Sequence, residues 1–134
     1  MSPTNADRVR WGLAATQQAG ELVLGEVSED FVWDMSTFAG WPEQPEYRGV
    51  EAAKRFIRDW LEIWEKWQMG VDEVVEAGDD VVVLMRQQGT AKSSGANVEM
   101  ALGAVWTFSG DRATRMRMYA THEEALAAVG AHSR

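Results

Sequence analysis

The side chains with which this 134-residue chain could do chemistry are few and scattered. His122 and His132 are the groups whose ordinary pKa suits proton transfer near neutrality. His122 follows Thr121 in the first turn of a short terminal helix, where solvation is expected, and His132 lies in the tail. Neither has paired carboxylates at metal-ligand spacing, so no metal and no other cofactor is expected. Cysteine is absent, which excludes disulfides, thiolate metal sites and thiol nucleophiles and fits a cytoplasmic location. Gly89-Thr90-Ala91-Lys92-Ser93-Ser94-Gly95 has the composition of a phosphate loop without its Gly-Lys-Ser/Thr order, and no helix follows it. It reads as a hairpin turn. One carboxylate stands out. Asp34 closes the brief aromatic strand Phe31-Val32-Trp33-Asp34, with Trp41 in the loop beyond. Walls of tryptophan would desolvate it and raise its pKa toward that of a general base. The alternative is a strand-end aspartate that accepts hydrogen bonds from the loop amides after it.

Tryptophan is the compositional oddity, with seven in the chain. The elements that position them follow from periodicity. Thr4 and Asp7 have the spacing of a helix cap, and Val9, Leu13 and Ala14 recur at helical spacing up to Ala19, before Gly20. Glu21 to Val27 reads as a second short helix. Val50 to Trp67 carries Ala53, Phe56, Ile57, Trp60, Trp64 and Trp67 on one stripe, which predicts a long helix. Strands are expected from Val71 to Ala77 and from Val81 to Ala91. Val98, Met100, Leu102, Ala104, Trp106 and Phe108 then alternate with a second set, so they share one face of a strand. Arg115 to Tyr119 alternates likewise, with Met116 and Met118 inward and Arg112, Arg115 and Arg117 outward; the direction of Arg86 is open. Thr121 and Glu124 cap a last helix that Gly130 stops.

Helices followed by a meander of strands imply one α+β domain over 1–134, with a curved antiparallel sheet wrapped around the long helix. The formal net charge of -8 argues against nucleic acid and anionic membranes as partners. The longest unbroken aliphatic stretch, Val81 to Met85, is far short of a membrane span. The interior should hold a mostly apolar pocket walled by Trp41, Tyr47, Trp60, Trp64, Met100, Leu102, Ala104, Trp106 and Met118. Its expected occupant is a small apolar or aromatic molecule.

The order of elements, together with Asp30-Phe31-Val32-Trp33-Asp34, Tyr47-Arg48-Gly49-Val50-Glu51-Ala52, Gly78-Asp79-Asp80 and Val105-Trp106-Thr107-Phe108-Ser109-Gly110-Asp111, resembles the SnoaL-like branch of the NTF2-like (cystatin-like) superfamily, related to the ketosteroid isomerases. The resemblance implies a cone-shaped α+β fold and a homodimer formed through the outer sheet face. It places Asp34 in the slot of the isomerases' general base. It does not extend to their oxyanion hole of a Tyr and a protonated Asp. The second acid's slot is Ala104, and the first helix has no Tyr. The acidic residue that several catalytic relatives keep after the last strand's Tyr is here Thr121. Two functions follow as expectations: a cofactor-independent isomerase or cyclase using Asp34, or a non-catalytic ligand-binding or dimerisation module.

Overall fold

The chain begins its first element where Thr4 satisfies a helix N-terminus from both sides. Its hydroxyl accepts from the Asp7 amide while its own amide donates to the Asp7 carboxylate. These bonds hold the Asp7 carboxyl below the usual carboxylate range, the Thr4 backbone N–H contributing most. The helix, α1, runs Asn5–Ala19 and closes at Gly20, whose positive φ of 69° favours glycine. The structure, a computed structural model, describes residues 4–25, 27–38 and 45–130.

The second short helix expected at Glu21 to Val27 does not form. Leu22 to Gly25 is irregular, and Val27 already opens strand β1 (Val27–Asp34). The physical reason lies in Thr16. Its hydroxyl donates to Gly12 O at 2.7 Å and accepts from the Val23 amide at 2.9 Å, pinning the returning chain against α1. Leu22 is buried in that extended form. Local helical spacing loses to this tertiary anchor.

Strand β2 (Glu46–Arg48) leads into α2 (Val50–Glu62), then come β3 (Trp64–Ala77), β4 (Asp80–Ala91), β5 (Asn97–Ser109), β6 (Arg112–Tyr119) and α3 (His122–Ala128). The expected helix from Val50 to Trp67 is therefore a helix only to Glu62. Trp64 and Trp67 belong to a strand. β3 pairs with β4 along its length, from Trp64↔Ala91 to Ala77↔Asp80. An irregularity between Glu65 and Gln68, with Lys66 at φ 54°, changes the strand's parity there. Trp67 and Met69 then face inward, so a strand imitates the spacing of a helix stripe.

The sheet has the order β2-β1-β6-β5-β4-β3. It is mixed rather than wholly antiparallel, because β1 lies parallel to β6, with Trp33 opposite Met116 and Asp34 opposite Arg117. The expected alternation of β5 holds: Leu102, Ala104, Trp106 and Phe108 join the core that α1 and α2 cover. Val105 lies on the opposite face with Val82, Leu84 and Tyr119, under Ala125 and Leu126 of α3.

Gly103 sets how closely α3 approaches that outer face. A Cβ there would stand 2.4 Å from Ala125 Cβ and 3.2 Å from the Thr121 carbonyl oxygen. Gly103→Ala is expected to cost roughly 1–3 kcal/mol by forcing α3 outward. Urea unfolding measures it, and adding Ala125→Gly should return part of the loss. A Gly103→Ala chain as stable as the parent would show that α3 yields freely.

Candidate functional site

The inner side chains do not fill the space between the sheet and helices α1 and α2. A cavity of about 120 Å³ remains. β1 contributes Trp33, α2 contributes Phe56, Ile57 and Trp60, and β5 contributes Met100, Leu102, Ala104 and Trp106. Met35, Met69, Met85, Met100, Met116 and Met118 all line it, so every methionine of the described residues is in this wall. Unbranched thioether chains repack at low cost, which makes the wall adaptable. Trp106 stacks on Phe31 with ring centres 6.0 Å apart and meets Trp33 edge-on at 6.2 Å.

Polar groups in this wall are few. Gln87 of β4 is 7% exposed, and its Oε1 accepts from the indole N–H groups of Trp60 and Trp67, each at 3.2 Å. Trp33 and Trp106 carry buried indole N–H groups without a hydrogen-bond partner among the described residues. Arg8 and Thr16 come from α1. Among the described lining residues there is no carboxylate, imidazole, amine, phenol or thiol.

Asp34 is buried where the sequence placed it, at the end of β1, but it does not line the cavity. Trp33 and Met35, its neighbours on either side, do. The Asp34 carboxylate accepts from the amide and the hydroxyl of Ser36, at 2.8 and 2.6 Å, and is ion-paired with Arg115. The Asp34 side chain is 7% exposed and that of Arg115 35%. Arg115 also reaches Glu46 at 3.4 Å. This is the loop-capping role, reinforced by a cation from β6.

Of the pocket residues expected from sequence, Trp60, Met100, Leu102, Ala104, Trp106 and Met118 line the cavity together. Tyr47 packs behind it, 4.7 Å from the Phe56 ring. Trp64 stands beyond Trp60, meeting it edge-on at 5.5 Å. Gly89 gives its ring room, since a Cβ there would come within 3.1 Å. Trp41 lies outside the described residues, as does His132. Arg86 points outward to Asp72 and Glu99. Instead of being solvated, His122 is partly buried, with Nε2 3.0 Å from the Met85 carbonyl oxygen. Sequence reasoning missed Gln87, Trp33 and Trp67 as wall residues. The parity of Gln87 with Val81, Val83 and Met85 was the available signal for the first. The described residues hold no cluster of metal-ligating side chains, and no described helix is long and apolar enough to cross a membrane.

A curved sheet closed by helices around an apolar cavity defines the cone-shaped NTF2-like class of α+β folds. Residues 14–116 match the SnoaL-like domain family, and the chain belongs to it. Among solved structures, it is similar to an NTF2-like protein of unknown function from Burkholderia pseudomallei, with a TM-score of 0.73 and 22% identity, over 96% of this chain and 100% of that one. It is also similar to TerC co-crystallized with polyporic acid, at a TM-score of 0.69 and 19% identity, over 85% of this chain and 88% of that one. A putative SnoaL-like polyketide cyclase from Jannaschia sp. CCS1 gives a TM-score of 0.62 and 20% identity, over 81% and 76%. At these identities the likeness is one of fold. No curated protein matches the sequence.

Proposed function

We propose that this chain binds a small, flat, largely apolar molecule of about one aromatic ring in the cavity between the sheet and helices α1 and α2. The observation that carries the reading is the wall itself: aromatic and methionine side chains from β1, α2, β4, β5 and β6 around about 120 Å³. An apolar cavity of about 150 Å³ stays dry and admits benzene, so the size is apt for a single ring. A ring that loses roughly 200 Å² of surface to such walls gains about 5 kcal/mol, which corresponds to a Kd of roughly 0.2 mM.

Binding is favoured over turnover by the absence of any proton-transfer group among the described lining residues. The alternative is that Asp34 acts as general base in a cofactor-independent isomerase-like or cyclase-like reaction. It requires a carboxylate that leaves Ser36 and Arg115 and passes between Trp33 and Met35. Titration with a panel of single-ring aromatics, followed by tryptophan fluorescence and calorimetry, should give saturable sub-millimolar binding with the ligand recovered unchanged. No binding by any of them would end the proposal. Turnover that disappears in Asp34→Asn would replace it with the enzymatic one.

We also propose a cytoplasmic homodimer formed through the exposed part of the outer sheet face, where Arg86 pairs with Asp72 and Glu99. Sedimentation at micromolar concentration is expected to give twice the 15.0 kDa chain mass. A single chain mass would remove the dimer without touching the cavity.

A further inference from the structure

The orientation of the Gln87 amide is settled by its neighbours. Two indole N–H groups, from Trp60 and Trp67, converge on one end of it at 3.2 Å each, and only the carbonyl oxygen can accept both. The NH₂ end is thereby turned away from the indoles. Among the described residues its partner is the Met85 sulfur at 3.6 Å. A thioether is a weak acceptor, so a buried amide with two N–H groups is left under-satisfied in a wall that is mostly apolar. The buried unpartnered polar atoms of that wall among the described residues, Trp33 Nε1 and Trp106 Nε1, are donors as well, and Arg8 of the lining is also a donor, bonded to Asn5. Thr16, the one hydroxyl of the described lining, is spent on Gly12 and Val23. The cavity thus holds an excess of donors and no free acceptor among its described side chains.

We infer that the cavity selects a ring-sized aromatic that carries a carbonyl-type oxygen, and that Gln87 Nε2 is the donor that receives it. The inference rests on the cavity being a ligand site and adds the chemistry its ligand must have. Trp60 and Trp67 act as positioning residues, since their N–H groups hold the amide with its NH₂ free. A hydrocarbon of the same shape fills the space but leaves the amide unsatisfied. A ligand whose polar group is only a donor meets donors.

The test compares acetophenone with ethylbenzene, which match in shape and differ in the oxygen. Calorimetry on the wild-type chain should show acetophenone binding at least as tightly, although it is the less hydrophobic of the two. In Gln87→Met the ketone-to-hydrocarbon affinity ratio should fall roughly fivefold to tenfold, the worth of one hydrogen bond from a buried donor. A measurement on the wild-type protein covers the case in which that variant fails to fold. In a ¹⁵N-edited NMR spectrum the Gln87 side-chain NH₂ signals should shift with acetophenone and stay in place with ethylbenzene. Weaker binding of acetophenone than of ethylbenzene, or NH₂ signals that do not move when acetophenone is bound, would overturn the donor role while leaving the cavity as a ligand site. If neither molecule binds, the cavity reading fails, and the selectivity with it.

Discussion

Arg115→Leu is expected to lower the free energy of unfolding by roughly 2–3 kcal/mol, more than a surface ion pair would contribute. The reason is what stays behind. Asp34, with its side chain 7% exposed, keeps only the Ser36 amide and hydroxyl once the guanidinium is gone. A buried charge deprived of its partner ordinarily costs about 3–5 kcal/mol. The 35% exposure of Arg115 and the two surviving hydrogen bonds place this case below that range. Asp34→Asn should cost less, about 1 kcal/mol, because the amide oxygen still accepts from Ser36 and Arg115 can turn to Glu46 or water. In a double-mutant cycle measured by urea unfolding, Arg115→Leu with Asp34→Asn should be more stable than Arg115→Leu alone. A double variant that loses the sum of both single losses would show that the two groups do not interact. Asp34→Asn should also leave aromatic binding unchanged, since Asp34 does not line the cavity.

Trp106→Ala is expected to cost about 3–5 kcal/mol, the usual range for deleting a buried aromatic from a core. Trp106 is where the two halves of the inner face meet, stacked on Phe31 and edge-on to Trp33, both from β1. Its indole also lines the cavity, so removing it enlarges a space that is already unfilled. Trp106→Phe keeps ring contact and should cost about 1–2 kcal/mol. If Trp106→Ala still folds, its larger cavity should bind two-ring aromatics more tightly relative to one-ring ones, as titration would show. An alanine variant that unfolds at the parental urea midpoint would mean that the stacking carries little of the core.

Much of the architecture was legible because period-two and helical patterns are local. The β5 alternation marks Met100, Leu102, Ala104, Trp106 and Phe108 as one face, and all five line the cavity. The Thr4–Asp7 spacing marks the α1 cap, and the glycine turns mark the hairpins. The boundary of α2 was not legible. Ile63-Trp64 and Trp67 fit a helix stripe as well as they fit a strand. The choice falls to pairing with β4, which lies more than twenty residues away from Trp64 along the chain at Ala91. Arg8 was not readable as a cavity residue, and for Gln87 strand parity gave the face but not the role, because a polar residue announces nothing until its neighbours are in place.

Although Trp11 is 58% exposed, the tryptophans and the methionines that recur with them pointed by themselves to an aromatic, adaptable interior. That is a matter of side-chain chemistry, which the chain carries in any conformation. Only the tertiary structure decided which tryptophans touch the cavity. It took Trp67 from the helix to β3, set Trp64 behind Trp60, and brought Trp33 in from β1. It also decided the fate of Asp34. In a strand, successive side chains point to opposite faces, so a displacement of one residue exchanges cavity for outer surface. The face that Asp34 takes is set by the register of β1 against β6, where Trp33 lies opposite Met116. That register places Arg115, from a strand some eighty residues later, beside its carboxylate.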